Sequence, residues 1–490
     1  MKNDNLLRLC VKGAAYLGLL MPASFFGSER PNVIVIISDD QGWADIGYNN
    51  PRVYTPNLDK LANSGAKLTS HHVMPQCTPT RVALMTGRYP GRVGRGAGLH
   101  ATNEPAFPLG TPTLSKMFQD CGYETFMSGK WHLGSTAEHG PNHFGFDESH
   151  GSLTGAVGMY NHRYHAKADT PYDPTWHRNG KIIPGFENGR HVTDLTRDEA
   201  VKFITRKRDK SFFLYLPFHA PHTPLDERGQ FVDTPTQPDP KNPQRWLNED
   251  KIRWFNDPEG KIQSEKSRDK RLLLATVYHL DSAVGDVLTA LDKSGQRENT
   301  IILFSSDNGP WRNNGGGSYP DNFPLKDYNQ PCKLRGKKLD VWEGGIHVAG
   351  FINWPGRIKP SEVKEDVHII DWFPTLANMI GFKPEKKIDW DGVDLCPLLF
   401  KQQSLPDRDL YWIWHPNVNR WALRHKQWKI VKYGRGEPKV GQWQLFNMEQ
   451  DPWEKKNIAR QYPELVSEMH VRVLVHRSKD ANRNISKDDI

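Results

Sequence analysis

Continuous apolar segments are the clearest pattern along the chain. The runs at residues 32–37, 212–216 and 300–304 are rich in valine, isoleucine, leucine and phenylalanine, with no alternation of apolar and polar positions. Such runs are typical of strands that are buried on both faces, as in a parallel sheet. A fourth strand is predicted at residues 123–128.

Helical patterns separate these strands. Helices are predicted at residues 55–65, 112–120 and 271–293, the last being long and amphipathic. Strands that alternate with helices indicate an α/β sandwich whose sheet is mainly parallel.

The last part of the chain has a different pattern. Short runs at residues 421–424, 428–431 and 443–446 predict an antiparallel sheet, and a helix is predicted at 463–476. The predicted division is a signal peptide at residues 1–28, a large α/β domain at 29–405 and a small α+β domain at 406–490.

Two stretches lack apolar periodicity. Residues 227–267 are rich in Pro, Asp, Asn and Lys, and residues 309–331 contain a run of three glycines. Both follow strands that carry candidate site residues. We predict surface insertions that shape a substrate pocket.

The charge balance is basic, with a formal net charge of +8 and a pI of about 9. This suits polyanionic partners, and sulfated glycans fit as well as nucleic acid. A surface with some excess lysine explains the charge equally well. Because the sequence has no nucleic-acid motif and no internal repeat, we predict no nucleic-acid partner.

The N-terminus has the features of an export signal. Lys2, Arg8 and Lys12 precede an apolar run at residues 14–26, which is too short for a comfortable membrane span. We expect an exported protein, periplasmic or extracellular, with no membrane span after signal removal.

Cysteine usage is low, with five in the chain. Cys10 would leave with the signal. Apart from Cys77, discussed next, Cys121, Cys332 and Cys396 remain and allow at most one disulfide.

The segment that begins at Cys77 carries the most informative chemistry. Thr78 is a good N-cap, Pro79 suits the first helical position, and Gly87 can end the helix. Cys77 is therefore expected just outside a helix N-terminus, with Arg81 one turn inside it. Free backbone N–H groups and a guanidinium would then form an anion site beside a nucleophile position.

Oxygen-bearing side chains follow two of the buried strands. Asp39 and Asp40 come after the first strand, and Asp307 and Asn308 follow the strand at 300–304. Ligands of open α/β sheets bind beyond the carboxyl ends of the strands. Three carboxylates and an amide oxygen that converge there suit Ca²⁺ better than Mg²⁺.

Basic side chains follow two further strands. Lys130 and His132 are two residues apart, so both can point to one side of an extended segment. His219 and His222 follow the strand at 212–216.

These motifs resemble the type I sulfatases. The resemblance rests on Cys-x-Pro-x-Arg followed by Thr-Gly-Arg at residues 77–88, on Gly-Lys-Trp-His at 129–132, and on Glu-Gly-Gly at 343–345. It implies an alkaline phosphatase-like fold, a large mainly parallel sheet between helices, with a small C-terminal antiparallel sheet plus helix. It also implies that a maturation enzyme oxidises Cys77 to formylglycine.

The resemblance implies two sets of site residues. Lys338 is preferred to Lys337 by counting back from Glu343. The implied catalytic residues are Cys77, Arg81, Lys130, His132, His222 and Lys338. The implied metal ligands are Asp39, Asp40, Cys77 as formylglycine, Asp307 and Asn308, with Ca²⁺ as the ion.

The implied reaction is hydrolysis of a sulfate ester through a calcium-bound formylglycine hydrate and a covalent sulfo-enzyme. Arg81, Lys130 and Lys338 would offset charge on the sulfate oxygens. His222 would act as general acid toward the leaving group, and His132 would take a proton from the second hydroxyl.

The expected substrate is a sulfated oligo- or polysaccharide. The sequence at residues 334–336 and 342–345 resembles the corresponding sequence of enzymes that act on 4-sulfated galactose or N-acetylgalactosamine units. Candidate substrate contacts, expected in loops near the motifs, are His150, Tyr160, His162, His219, Trp311 and Arg312.

Other functions remain open at this stage. An aryl or alkyl sulfatase would share the same motifs. A phosphate ester hydrolase of the same superfamily usually binds two zinc ions through Asp and His ligands, and no comparable histidine set is evident. A glycan-binding protein whose cysteine is never matured is the non-enzyme alternative.

Overall fold

The computed structural model describes residues 30–93, 103–164, 174–183, 190–225, 237–239, 242–247, 257–266, 268–311, 334–414 and 420–481. The predicted signal peptide, Arg312 and Cys332 lie outside these residues, as does most of the predicted insertion at 309–331. The signal peptide and export therefore stay predictions. The domain boundary near residue 406 also stays a prediction.

Each of the three continuous apolar runs forms a strand of six or seven residues. In chain order they are β1 Asn32–Ser38, β2 Ala66–Leu68, β3 His71–His72, β4 Glu124–Lys130, β5 Glu148–Ser152, β6 Trp176–Arg178, β7 Lys181–Ile182, β8 Phe212–Pro217, β9 Gln237–Asp239, β10 Asn242–Leu247, β11 Thr300–Ser306, β12 Gly350–Asn353, β13 Ser361–Val363, β14 Val367–His368, β15 Asp409–Trp414, β16 Arg420–His425, β17 Trp428–Tyr433 and β18 Gln444–Asn447.

Ten of these strands form one mixed sheet in the order β13-β2-β12-β11-β1-β8-β4-β5-β6-β7. The five central strands, β11, β1, β8, β4 and β5, run parallel to one another. Their carboxyl ends therefore meet at one edge. The prediction of a mainly parallel sheet that contains the four apolar strands is confirmed.

Helices cover both faces of this sheet, and the last helix along the chain packs on the C-terminal strands instead. In chain order they are α1 Pro56–Asn63, α2 Cys77–Thr86, α3 Leu114–Asp120, α4 Val192–Thr205, α5 Lys261–Ser264, α6 Arg268–Lys293, α7 Glu343–Ile346, α8 Trp372–Met379, α9 Cys396–Lys401 and α10 Pro463–Arg477.

The residues of β1 show how the two layers form. Val33, Val35 and Ile37 pack into one hydrophobic cluster with α2, α3 and α8. Ile34 and Ile36 point to the opposite face and join a second cluster with α1, α4 and α6. Every residue of β1 is buried, as expected for a strand covered on both faces.

The C-terminal unit is a four-stranded antiparallel sheet in the order β15-β16-β17-β18, and α10 packs against β15 and β16. The predicted antiparallel sheet and helix are confirmed, and β15 is an additional strand. Apolar side chains of this sheet, such as Trp412, Leu423 and Ile430, belong to the same cluster as α2 and α8. The small sheet is therefore packed directly on the helical layer that carries Cys77.

One element differs from its prediction in a way that concerns the site. His150 was expected in a loop, but it lies on β5, where it is fully buried. The sequence of β5, Glu-Ser-His-Gly-Ser, has no apolar residue, and its burial comes from the neighbouring strands β4 and β6.

Two further observations concern cysteines and membranes. Cys77, Cys121 and Cys396 are free thiols, so no disulfide joins cysteines within the described residues. Of the helices in the described part of the chain, none is long and apolar enough to cross a membrane.

A buried histidine on β3 links folding to pH. His71 is fully buried, and its Nε2 accepts a hydrogen bond from Trp372 Nε1 at 3.2 Å. Burial lowers the pKa of His71 from 6.5 to about 3. Between these two pH values the unfolded chain binds one more proton here than the folded chain, so acidification favours unfolding.

We expect His71→Asn to reduce the pH dependence of stability. The wild-type free energy of unfolding should fall by about 1.4 kcal/mol more per pH unit than that of the variant on acidification below 6.5. Urea unfolding between pH 7 and pH 5 measures this slope. His143→Asn, at an exposed position, is the matched control. A slope in His71→Asn equal to that of the wild type would contradict the assignment.

Candidate active site

The site forms where the central parallel strands end. Asp39 and Asp40 follow β1, and Asp307 and Asn308 follow β11. Lys130 is the last residue of β4. Because β1 lies next to both β11 and β8 in the sheet, these side chains come together at one edge, as the sequence predicted.

Each of three carboxylates in the site is paired with one cation. Arg81 donates from Nε and Nη2 to Asp307 Oδ2, at 3.1 and 2.8 Å. Lys130 Nζ contacts Asp39 Oδ2, and Lys338 Nζ lies 2.7 Å from Asp40 Oδ1. All six side chains are buried, the most accessible being Lys338 at 8%. The cluster is therefore balanced in charge.

The helix that carries Cys77 begins two residues earlier than expected, at Cys77 rather than at Pro79. Cys77 is the first residue of α2, and Gln76 is the cap, because Thr80 N–H donates to Gln76 O at 3.1 Å. Thr78 does not cap the helix, since its hydroxyl donates to His132 O at 3.2 Å. Gly87 ends the helix with a φ of +65°, as predicted.

The thiol of Cys77 is enclosed and protonated. The residue is 3% exposed, and burial raises the pKa of its thiol, although Lys130 and Lys338 act in the opposite direction. Its sulfur lies within 4.8 Å of carboxylate oxygens of Asp39 and Asp307. An unmodified Cys77 is therefore a weak nucleophile in this position.

The carboxylates respond differently to burial. Burial alone would raise the pKa of Asp40, but Lys338 and His222 outweigh it and hold the pKa at about 2. The pKa of Asp307 rises to about 6 because of burial and the charge of Asp39, which Arg81 only partly offsets. Of the two carboxylates, Asp307 is thus the one whose ionised form is stabilised less by its protein partners.

Two oxygens in the cluster are suited to a cation. Asp39 Oδ1 and Asn308 Oδ1 are buried, and neither accepts a hydrogen bond from the part of the chain that the structure describes. Asn308 Nδ2 donates to Asp40 Oδ1 at 2.7 Å, which fixes the orientation of the amide. Buried, unsatisfied carboxylate and amide oxygens are the ligands that Ca²⁺ takes in proteins. The residues present therefore fit the calcium ion that the motifs imply.

The side chains of His222 and Lys338 form the accessible edge of the site, at 11% and 8% exposed. His132 is 7% exposed, and its catalytic role stays a prediction. His222 Nδ1 donates to Thr223 O at 2.8 Å, so Nε2 is left to face the site, 3.6 Å from Asp40 Oδ2. Burial lowers the pKa of His222 to about 3, so its ring is neutral near pH 7.

Three of the predicted substrate contacts pack around one tryptophan. The ring of His162 stacks on Trp176 with centroids 4.8 Å apart, and His150 meets it edge-on at 5.2 Å. His219 lies 6.2 Å from the same ring, and its Nε2 is 2.8 Å from Ser152 Oγ. All three histidines are at most 2% exposed, and their contact with substrate stays a prediction.

Two other predicted substrate contacts, Trp311 and Tyr160, are more accessible. Trp311 is half-buried, and Lys338 Nζ lies 5.7 Å from the centre of its ring. Tyr160 is also half-buried and packs edge-on against His191 at 5.2 Å. Trp311 thus lies beside a candidate catalytic lysine, while Arg312 is outside the described residues.

The C-terminal sheet holds the segment that carries Lys338. Val341 N–H donates to the Tyr433 hydroxyl at 3.2 Å, and that hydroxyl donates to Asp340 Oδ1 at 3.2 Å. Arg420 pairs with Asp340 at 3.0 Å. The motifs gave no signal for Tyr433 and Arg420, which lie 80 to 93 residues further along the chain.

This arrangement defines a hydrolase for anionic esters. Three cations surround the position of a nucleophile, an oxygen cluster suits a cation, and a histidine faces the opening. Comparison with known families identifies the ester. The family model described as Sulfatase matches residues 31–382, and that of the C-terminal part of N-sulphoglucosamine sulphohydrolase matches residues 337–479.

The chain therefore belongs to the sulfatase family and is a sulfuric ester hydrolase, as its motifs predicted. Arylsulfatase J of Mus musculus is 29% identical, with 90% of this chain and 75% of that protein covered. N-acetylgalactosamine-6-sulfatase of Mus musculus is 31% identical, with coverages of 81% and 70%.

Solved structures agree with this assignment and with the predicted fold. The crystal structure of Ps i-CgsB in complex with k-i-k-neocarrahexaose has a TM-score of 0.76 and 29% identity, and covers 93% of this chain and 94% of that one. The crystal structure of Ps i-CgsB, at 30% identity, has the same TM-score and coverage.

We expect Tyr433→Phe to impair catalysis without unfolding the protein. The change removes the hydroxyl that fixes Asp340 and Val341, which is worth about 1 kcal/mol, so kcat/KM on a sulfate ester should fall about fivefold. Tyr123→Phe is the control, because the buried Tyr123 hydroxyl has no hydrogen-bond partner among the described residues. Equal kcat/KM values for the two variants would show that Tyr433 does not position Lys338.

Proposed function

We propose that this enzyme removes O-sulfate groups from a sulfated carbohydrate, with 4-sulfated galactose or N-acetylgalactosamine units of a polysaccharide favoured. The observation that carries the proposal is the pairing of Arg81, Lys130 and Lys338 with three carboxylates around Cys77. A carbohydrate substrate is supported by the relative named N-acetylgalactosamine-6-sulfatase and by the neighbour solved with a neocarrahexaose. The 4-position is proposed only from the resemblance at residues 334–336 and 342–345.

The three cations are proposed to bind the sulfate group. In the structure they neutralise Asp307, Asp39 and Asp40. A divalent cation held by Asp39, Asp40, Asp307 and Asn308 would neutralise those carboxylates instead. Arg81, Lys130 and Lys338 would then be able to offset the charge that develops on the sulfate oxygens.

Residue 77 is proposed to act as formylglycine, made by a maturation enzyme. When bound and matured, the calcium ion and the hydrated aldehyde supply an acidified hydroxyl for attack on sulfur and a second hydroxyl for release of sulfate. The buried thiol supports this proposal, since burial keeps it protonated and a thiol has no second hydroxyl.

His222 and His132 are proposed to move protons. His222 Nε2 faces the site because Nδ1 is held by Thr223 O, so Nε2 is placed to donate a proton to the leaving oxygen. A bound sulfate ester carries negative charge and would raise the low pKa of His222. His132 is proposed to take the proton from the second hydroxyl of residue 77.

Sulfate release should depend on residue 77 and identify the sugar. We expect protein co-expressed with a formylglycine-generating enzyme to release sulfate from one member of a panel of defined sulfated oligosaccharides, and Cys77→Ala to release none. Ion chromatography measures the sulfate, and mass spectrometry verifies the state of residue 77. The carbohydrate proposal would be overturned if no glycan released sulfate, while aryl esters released sulfate or phosphate esters released phosphate.

His132→Ala and His222→Gln should fail at different steps. Loss of His132 is expected to leave sulfate covalently retained on the protein, detected by intact mass. His222→Gln should slow turnover mainly for esters with poor leaving groups. Because a general acid must be protonated, wild-type kcat should fall as pH rises above the pKa of His222 in the complex, and the variant should lose this limb. Identical behaviour of both variants would refute the assignment.

A further inference from the structure

A second cluster of ionisable side chains lies outside the candidate active site. His72 is on β3, Glu343 begins α7, and His347 follows that helix. His72 Nε2 and His347 Nδ1 lie 3.1 and 3.2 Å from the same oxygen, Glu343 Oε2. The three atoms lie within 4.8 Å of one another. His72 and Glu343 are buried, whereas the His347 side chain is 15% exposed.

The hydrogen bonds of His347 determine which ring nitrogen carries a proton. His347 Nε2 contacts Thr69 O at 3.0 Å. A carbonyl oxygen only accepts, so Nε2 must donate, and a neutral ring then presents the lone pair of Nδ1 to the Glu343 carboxylate. Two lone pairs at 3.2 Å repel each other unless a positive charge lies between them. The geometry therefore requires a cation at this position, either a proton or a metal ion.

The contact between His72 and Glu343 holds a proton at the position of a metal. His72 Nε2 lies 3.1 Å from Glu343 Oε2 and donates to it, since a carboxylate oxygen accepts, and His72 Nδ1 is buried without a hydrogen-bond partner in the described residues. A metal ion bound here would take the place of this proton, because metal binding needs a ring nitrogen with a free lone pair and an ionised carboxylate.

The surrounding charges leave one negative charge for a metal. Lys429 Nζ lies 2.7 Å from Glu343 Oε1 and 2.7 Å from Glu454 Oε1, so the charge of one lysine is shared between two carboxylates. Two neutral imidazoles and one carboxylate remain, which is the ligand set of many zinc sites that keep an open position.

We propose that His72 Nε2, Glu343 Oε2 and His347 Nδ1 bind one zinc ion. Ligand atoms about 2.0 to 2.1 Å from a tetrahedral zinc lie about 3.3 Å apart, close to the 3.1 and 3.2 Å found here. Thr69 O orients His347 in the way that carbonyls orient metal-bound imidazoles. Glu343 and His347 also line an open cavity of about 180 Å³ between Trp43 and Trp453, which leaves room for a water as fourth ligand.

The ion would connect parts of the chain that are far apart in sequence. It would join β3 to α7, and α7 follows the segment that contains Lys338. Glu343 N–H also donates to Glu454 Oε2 at 2.8 Å, which links α7 to the C-terminal unit. The proposed ion lies outside the oxygen cluster of the active site, so this proposal is independent of the sulfate ester chemistry proposed there.

Zinc titration tests the proposal. Chelator-treated full-length protein would be titrated with Zn²⁺ by calorimetry in saturating Ca²⁺, so that the oxygen cluster is occupied. We expect one zinc per chain with a micromolar or tighter Kd and a higher Tm. His347→Ala and His72→Asn should each weaken binding at least 100-fold. His425→Ala is the matched control, because that side chain is 16% exposed and also pairs with a carboxylate, Asp409.

Two results would overturn the proposal. One is a zinc affinity in His347→Ala equal to that of wild type and His425→Ala. The other is the absence of zinc binding in wild type, with nitrogen NMR showing both ring nitrogens of His347 protonated at neutral pH; the cation would then be a proton. Circular dichroism verifies that each variant is folded. Neither result depends on sulfate release, so the two proposals can fail separately.

Discussion

Three carboxylates buried at one edge of the sheet are the constraint on which the rest of the site depends. Two like charges 4 Å apart repel by about 4 kcal/mol at an effective dielectric constant of 20. Asp39, Asp40 and Asp307 must therefore be neutralised, and three cations from three different segments do so. The parallel strands bring the acids together, while α2, β4 and the segment before α7 bring the bases.

The same cations serve two purposes in this account. They stabilise the buried acids in the structure as it stands, and they are the groups proposed to bind the sulfate ester. These roles compete, because a lysine engaged with a carboxylate cannot offset the charge of a substrate equally well. A divalent cation at the oxygen cluster resolves the competition. Asp39 Oδ1 and Asn308 Oδ1 lack protein donors in the described residues, which agrees with such an ion.

Much of the fold could be predicted because several central strands correspond to continuous apolar runs in the sequence. β1 and β11 are fully buried, and each contains a run of at least four consecutive apolar residues, 33–37 and 301–304. The convergence of Asp39, Asp40, Asp307 and Asn308 followed from the rule that parallel strands end at one edge. β5 could not be predicted, since its residues are polar or small and neighbouring strands supply its burial.

Contacts between segments that are distant along the chain also could not be predicted from the sequence. Thr78 does not cap α2 because its hydroxyl donates to His132 O, which lies on another segment. The hydrogen bond from Tyr433 to Asp340 forms only because the C-terminal sheet packs beside the segment that carries Asp340. Local propensity carries no information about either partner. The cluster of His72 with Glu343 could not be predicted either, because 271 residues separate the two.

The most direct test of this account is the affinity for inorganic sulfate with and without calcium, measured by calorimetry on matured, chelator-treated protein. If calcium takes over the carboxylates and releases Arg81, Lys130 and Lys338, sulfate should bind at least tenfold more tightly when calcium is present, and calcium more tightly when sulfate is present. Equal sulfate affinity in the two conditions would contradict the account.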